Sequence, residues 1–325
     1  MNDTVIDPVT RQLTAWADDG QATALATVIE TWGSSPCPIG SKMAVNGKAA
    51  FAGSVSGGCI ETSVVSEALE IIRDGGFEVL SYGISDEQGA AAGLACGGTI
   101  KVLVEPVDAA LLAVLSGPRP VVRIIDLADL NWHVLGEGDT DTVVSDAARK
   151  ALGDGRAAYV VSGDREFFVD PIVASYRMII IGAVAIAQVL APMARAAGFD
   201  VTIIDPRPTF ATEQRFPDCR LIQAWPDKAM ADLRPDHRCA IVTLTHDTAP
   251  DDMALDLALK SDVFYIGALG SRKTHASRRE RLKEKGWGEE DLNAICGPIG
   301  LDIGAANPAE IAVSILAQII EEKNR

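Results

Sequence analysis

Met178-Ile179-Ile180-Ile181-Gly182-Ala183-Val184-Ala185-Ile186-Ala187 is the stretch that decides the fold. Met178 to Ile181 is a short, wholly apolar run, of the kind buried on both faces of a parallel sheet. Gly182 ends it, and a helix is predicted from about Ala185 to Ala197, stopping at Gly198. Val201-Thr202-Ile203-Ile204-Asp205 reads as a second buried strand. Downstream, strands are predicted at Arg220 to Gln223, Cys239 to Leu244 and Asp262 to Ile266. Helices are predicted at Asp227 to Leu233, Pro250 to Lys260, Ser271 to Lys285 and Pro308 to Glu321. Strand alternating with helix implies a parallel sheet with covering helices. A glycine turn after the first strand, and an acidic residue closing the second, follow the plan of a Rossmann-like doubly wound sheet.

Upstream the patterning changes. The residues before Gly20 read as an amphipathic helix, and Ala22 to Glu30 as a strand rich in Thr, Val and Ile. Two prolines and two glycines make Trp32 to Gly40 a loop. Short strands at Lys42 to Val45 and Ala49 to Ser54 flank Asn46-Gly47, a hairpin signal. Ile60, Val64, Val65, Ala68, Leu69 and Ile72 recur at helical steps as far as Gly75-Gly76. Strands are expected at Phe77 to Tyr82 and Thr99 to Val104, with a small, polar loop between them at Ser85 to Ala95. Pro106 to Val173 mixes short strands and turns and carries no sharp motif. The expected class is α/β, an N-terminal α+β domain at 1–172 followed by a Rossmann-like doubly wound parallel-sheet domain at 173–325.

Composition narrows the function classes. Of 325 residues, 48% are hydrophobic, enough for the sizeable interiors of two domains. No run of about 18 apolar residues occurs, so no membrane span is expected. The start, Met1-Asn2-Asp3-Thr4, lacks a basic segment followed by an apolar core, which points to a cytoplasmic chain. The formal charge of −16 disfavours nucleic acid and favours basic protein partners. Six cysteines contain no Cys-x-x-Cys pair, so a zinc ribbon is not indicated, and a reducing compartment keeps them as thiols. Cys219, Cys239 and Cys296 read as small buried apolar residues.

The most pointed chemistry lies in two mirrored settings, Gly57-Gly58-Cys59 and Cys96-Gly97-Gly98. Paired glycines bare a thiol and let a ligand come close. A thiolate is a nucleophile and a soft metal ligand. Cys59 is expected at the start of a helix, where the dipole favours a thiolate, and Glu61 follows it closely. Ser34, Ser35, Cys37, Lys42, Ser54 and Ser56 complete this glycine-rich constellation. Cys59, Cys96 and Glu61 are therefore the candidates for handling sulfur or a metal; the alternative is two tight turns whose cysteines fill space.

In the second half, Val184 stands where the dinucleotide pattern has its second glycine, and Ala187 at the third position. Asp205 stands where an acidic residue grips a ribose hydroxyl. Gly182 and Asp205 thus keep the topology of an NAD(P) site while Val184 counts against the contact. Gly267-Ala268-Leu269-Gly270-Ser271-Arg272-Lys273 ends a strand and opens a helix. Unpaired N–H groups and two cations there suit an anion; the alternative is a capped, solvated helix with Glu280 and Glu284 as partners. Asp302, in the glycine-spaced loop Gly297 to Gly304, is either a ligand or a carboxylate satisfied by backbone N–H groups. His246 follows a predicted strand at the ligand-binding edge of the sheet and is an acid–base candidate.

Gly33-Ser34-Ser35-Pro36 through Gly40, Gly53 to Glu61, Leu94 to Gly98, Ile180 through Asp205-Pro206-Arg207, Ile266 to Lys273 and Gly297 to Ala305 together resemble the XdhC/CoxI family, in order and over nearly the whole chain. Members are accessory proteins of molybdenum hydroxylases such as xanthine dehydrogenase and carbon monoxide dehydrogenase. The resemblance implies that the chain binds the molybdenum cofactor (molybdopterin), protects it while a cysteine desulfurase supplies its terminal sulfur, and passes it to the apo molybdenum hydroxylase. Cys59 and Cys96 would lie near the metal or the transferred sulfur, and Arg272-Lys273 would face a phosphate. The residues expected around the cofactor are Gly57, Gly58, Gly97, Gly98, Gly267, Gly270, Ser271, Arg272, Lys273, Asp302, Gly182 and Asp205. Two positions depart from the family: Cys37 replaces its usual arginine, and Gly182-Ala183-Val184-Ala185 replaces its usual Gly-Ala-Gly-His. The leading expectation is a cytoplasmic maturation chaperone acting as a homodimer. Its rivals are an NAD(P)-dependent oxidoreductase, a non-catalytic protein-binding adaptor, and a Cys59–Cys96 redox switch, which needs α-carbons within about 7 Å.

Overall fold

A computed structural model describes residues 7–33, 37–83, 98–136, 144–245 and 247–325. Ser34, Ser35, Cys96, Gly97, His246 and the 85–95 loop lie outside the described residues. The chain divides into two units, Met1–Ala174 and Ser175–Arg325.

In the first unit, β1 (Thr23–Trp32), β2 (Lys42–Asn46), β3 (Phe51–Gly53), β4 (Glu78–Tyr82) and β5 (Thr99–Pro106) form an antiparallel sheet in the order β3-β2-β1-β5-β4. The Asn46-Gly47 signal makes the β2–β3 hairpin, as expected. Helix α1 (Pro8–Asp18) starts on Asp7, whose carboxylate accepts the Val9 and Thr10 N–H groups, with proline at the first helical position. Helix α2 (Glu61–Asp74) lays Val64, Ala68 and Ile71 against Val28, Val102 and Val104 of the sheet and closes on Gly75 at φ +77°.

The stretch after Pro106 builds α3 (Ala109–Ser116), α4 (Ser145–Asp154) and a second antiparallel sheet. Its strands are β6 (Val121–Asp126), β7 (Trp132–Leu135), β8 (Ala158–Ser162) and β9 (Arg165–Ile172), in the order β7-β6-β9-β8. This sheet was not legible because β6 and β9 are buried on both faces and so lack alternation, while Arg123 and Asp170 interrupt their apolar runs. Those charges are paired across the two sheets. Arg123 on β6 donates two bonds to Glu105 on β5, at 2.7 and 3.0 Å. Asp170 on β9 accepts from Lys42 on β2 at 2.6 Å and lies 3.5 Å from Arg123. Ile29, Leu103, Ile125 and Phe168 fill apolar space in the same unit.

The second unit is the Rossmann sheet. Six parallel strands, β10 (Arg177–Ile181), β11 (Asp200–Ile204), β12 (Arg220–Ile222), β13 (Cys239–Thr243), β14 (Tyr265–Ala268) and β15 (Ile295–Cys296), lie in the order β12-β11-β10-β13-β14-β15. Met178 and Ile180 pack into one core with α5 (Ala185–Ala196) and α10 (Pro308–Lys323); Ile179 and Ile181 pack into the other with α6 (Pro226–Leu233), α7 (Thr248–Ala258) and α8 (Arg272–Glu284). Two buried faces account for the unbroken apolar run. Strand order reverses between β10 and β13, where such sheets open a crevice beyond their carboxyl ends. Short elements, α9 (Glu289–Asn293) and β15, escaped the periodicity reading, and β14 sits a few residues downstream of its expected place. Cys239 is fully buried, and that burial pushes its thiol up to about 12. Cys219 and Cys296 are half-buried against apolar neighbours. No described helix is long and apolar enough to cross a membrane.

Candidate functional site

Glu61 organises the turn that carries Cys59. It is the first residue of α2, and Ile60 before it offers no capping side chain. The Glu61 carboxylate reaches back instead. Oε1 accepts from the Ser54 hydroxyl at 2.6 Å and from the Val55 and Ser56 N–H groups at 3.2 and 3.0 Å. Oε2 accepts from the Ser56 hydroxyl and from the Gly58 N–H at 2.9 Å. Ser54 Oγ takes the Gly57 N–H, and Ser56 Oγ takes those of Cys59 and Ile60. Every amide from Val55 to Ile60 is therefore engaged. Burial alone would raise the Glu61 pKa; the Ser54 and Ser56 hydroxyls and the backbone donors outweigh it and hold the carboxyl near about 2. Glu61, expected to handle sulfur or metal, spends both oxygens on the turn.

Gly57 and Gly58 stand at φ +75° and +115°, a region that favours glycine. A Cβ on Gly58 would meet nothing within 4 Å, so backbone conformation rather than crowding within the chain explains the residue. Cys59 is a free, half-buried thiol packed on the apolar cluster that contains Val55, Ile60 and Val64. Cys37, the departure from the family pattern, donates its S–H to Ser54 Oγ at 3.8 Å and packs on the same cluster. Gly98 is buried just before β5; Cys96 and Gly97 fall outside the described residues.

In the second unit, Gly182 sits at φ +107°, and a Cβ there would lie 2.7 Å from Thr245 Cγ2. Asp205 is 1% exposed, with both oxygens occupied. Oδ2 accepts the Ala183 N–H at 2.8 Å and Arg207 Nη2 at 2.7 Å; Oδ1 accepts the Arg207 N–H at 3.0 Å and Nε at 2.9 Å. Burial raises the Asp205 pKa, and Arg207 with Ala183 carries it below the usual carboxylate value. The Arg207 guanidinium lies 3.9 Å over the Phe210 ring. The carboxylate that would grip a ribose is already filled by the chain's own arginine, and Val184 starts α5 without a side-chain cap. These residues do not fit a conventional NAD(P) contact.

The Leu269–Lys273 turn differs. Gly267 is a packing glycine, since a Cβ would lie 2.5 Å from Ile299 Cδ1. Gly270 takes φ +141° and lies against Thr274. Ser271 caps α8, accepting the Thr274 N–H at 3.1 Å. Arg272 and Lys273 are exposed and have no ion-pair partner among the described residues. Further along α8, Arg279 pairs with Glu289, Arg281 with Asp252, and Lys283 with Glu280 and Glu289. The charges available for an incoming anion are thus those of the first turn, at the positive end of the helix. Asp302 is exposed on its loop. No group of three or more His, Cys, Asp or Glu able to hold a metal ion occurs among the described residues.

Residues 178–319 match the XdhC Rossmann domain, and residues 16–83 match the XdhC and CoxI family. A relative from Escherichia coli (strain K12), the molybdenum cofactor insertion chaperone PaoD, is 30% identical over 92% of this chain and 83% of its own length. A relative from Bacillus subtilis (strain 168), named as a probable xanthine dehydrogenase subunit, is 27% identical over 96% of this chain and 97% of its own. A crystal structure from Bacillus halodurans, described as a xanthine dehydrogenase, superposes with a TM-score of 0.78 at 26% identity, covering 97% of this chain and 95% of that one.

Proposed function

The chain belongs to the XdhC/CoxI family, and on that footing we propose that it binds the molybdenum cofactor and delivers it to an apo-hydroxylase of the xanthine dehydrogenase type. The observation that carries this reading is the Ser54–Glu61 turn. Its amides are engaged from Val55 to Ile60, so the bed is rigid, and the half-buried Cys59 thiol is the soft donor it presents. Thiol sulfur suits a soft metal–sulfur centre better than carboxylate oxygen does. The bound cofactor would supply the molybdenum and its sulfur ligand; the chain would hold and shield them. Cys96 is proposed as a second thiol in the same service. In the second unit, Arg272 and Lys273 at the start of α8 would take a phosphate. A cysteine desulfurase as sulfur source and a cytoplasmic setting belong to the same proposal. The names of the Escherichia coli and Bacillus relatives support insertion as the task and a xanthine dehydrogenase as the class of client. The committed oxygens of Asp205 favour this reading over an NAD(P)-dependent oxidoreductase.

The test is anaerobic co-elution of the purified chain with molybdenum cofactor, scored by pterin and by molybdenum content. Retention of both is expected. Cys59→Ala should lower retention by at least roughly tenfold, the lower end of what losing a supporting contact costs a metal site. No retained pterin, with no change on Cys59→Ala or Cys96→Ala, would count decisively against cofactor handling.

A further inference from the structure

Four buried side-chain atoms of the second unit have no hydrogen-bond partner among the described residues: Thr243 Oγ1, His275 Nδ1, and Nε and Nη1 of Arg278. They belong to the last residue of β13 and to the first two turns of α8, where His275 and Arg278 share a helix face. The Arg278 side chain is 3% exposed. Its Nη2 donates to the Leu269 carbonyl at 2.7 Å and stops 3.7 Å from Asp251 Oδ2, beyond hydrogen-bond reach. Asp251, in the first turn of α7, accepts the Thr245 hydroxyl through Oδ1 at 2.7 Å. Thr245 is also the residue for which Gly182 leaves room. One buried cation thus stands between the carbonyl of the anion-suited turn and a carboxyl tied to the strand-order switch point. Unpaired guanidinium N–H groups in a sealed site are costly, so a second arrangement, with Arg278 closed onto Asp251, lies within reach of a small movement.

We propose that Arg278 and Asp251 form a proton-controlled latch beneath the Leu269–Lys273 turn, and that oxyanion capture by this turn is coupled to a proton on Asp251. The coupling rests on the phosphate reading given above. With Asp251 neutral, Arg278 has no carboxylate counterion, holds the Leu269 carbonyl, and adds its charge to those of Arg272 and Lys273. With Asp251 ionised, Arg278 is drawn across the gap, its charge is neutralised, and the Leu269 carbonyl loses its donor. Burial pushes the Asp251 carboxyl up to about 7, with Thr245 and Arg278 acting in the opposite direction and Asp252 in the same one. The other charged groups around the pair are engaged elsewhere. Asp252 on α7 is held by Arg281 of α8. Arg279 serves Leu292, Glu289 and Asn293. Asp247 caps α7. His275 titrates below its ordinary range, through burial and then the nearby Arg278 and Arg279.

If capture requires the neutral acid, affinity falls about tenfold per pH unit above the Asp251 pKa. Sulfate is the probe, because its own charge is constant between pH 6 and pH 8. The full-length chain, labelled with nitrogen-15, is titrated with sodium sulfate at fixed ionic strength, and the Leu269 and Gly270 amides are followed. Sulfate is expected to bind about tenfold more weakly at pH 8 than at pH 6. Asp251→Asn, which keeps an oxygen for Thr245, should bind at both pH values with the affinity wild type shows at pH 6. His275→Asn and His246→Asn should keep the wild-type dependence. Without sulfate, the two amides should titrate near pH 7 in wild type and stay flat in Asp251→Asn. A pH slope that survives Asp251→Asn, or amides that never titrate, overturns the latch. Amides that titrate with no sulfate bound at either pH overturn the phosphate reading of the turn and leave the latch standing.

Discussion

Glu61→Gln is expected to cost the first unit roughly 3 kcal/mol, because a carboxyl held near about 2 instead of 4.5 stores about 1.4 kcal/mol for each tenfold gain in acidity. Glutamine preserves the shape and one acceptor. Its amide group, however, meets the Ser56 hydroxyl and the Gly58 N–H, both of which donated to Oε2. Two donors are stranded, and the turn that presents Cys59 loses its tie to α2. The sign of the pH dependence follows from the depressed value. The stabilisation is fully present above the unfolded carboxyl's range and is lost as pH falls from about 4.5 through about 2. Wild type should therefore lose stability over that window, and Glu61→Gln should lose much less. Urea unfolding at pH 7 and pH 3, with hydrogen exchange of the Val55–Ile60 amides as a local readout, measures both effects. Equal stability of the two proteins at pH 7 would show that the carboxylate does not organise the turn. Cofactor retention should fall with the amide protection, since Cys59 donates its own N–H within the network.

Much of the fold was legible, for identifiable reasons. Met178–Ile181 is apolar throughout because both faces are covered, and the β10–α5–β11 unit lies where the strand–glycine–helix plan put it. In the first unit, Asn46 shapes its turn through a side chain whose Oδ1 accepts the Lys48 and Ala50 N–H groups, and Gly75 ends α2 at positive φ. The β6–β9 sheet stayed hidden because its buried charges imitate the polar residues of loops; only tertiary pairing reveals Arg123 and Asp170 as interior. At the site, the sequence drew attention to Gly57-Gly58-Cys59 through the room that paired glycines leave for a ligand. Gly57 and Gly58 also take positive φ, a backbone demand that the sequence reading did not name. The role of Glu61 as an internal anion was invisible because it depends on two serines, at 54 and 56, pointing at one carboxylate. Asp205 was found at its predicted place, but Arg207, two residues on, had to be seen in space to be recognised as its partner. The Arg278–Asp251 pair joins residues 27 positions apart and carried no motif.

Arg123→Met should destabilise the first unit by about 3–5 kcal/mol, the usual cost of removing one member of a buried ion cluster. Arg123 is fully buried, and Glu105 and Asp170 are each 1% exposed. Lys42 would still serve Asp170 at 2.6 Å, whereas Glu105 would be left without the guanidinium that now binds both its oxygens. The expense is that stranded carboxylate rather than the lost attraction, so adding Glu105→Gln to Arg123→Met should restore part of the stability. The effect should also reach the site. The Lys42 carbonyl accepts the Ser54 N–H at 3.2 Å, and a Cβ on Gly53 would lie 2.3 Å from that carbonyl oxygen, so β2 and the start of the Cys59 turn are in direct register. Loosening the cluster that anchors Lys42 should speed alkylation of Cys59 by iodoacetamide under native conditions, in step with the fall in stability. Urea midpoints and alkylation rates of the single and double variants decide the matter. A single variant within about 1 kcal/mol of wild type would mean that Glu105 finds another partner or takes up a proton at little cost, and that the cluster is not what holds the two sheets of this unit together.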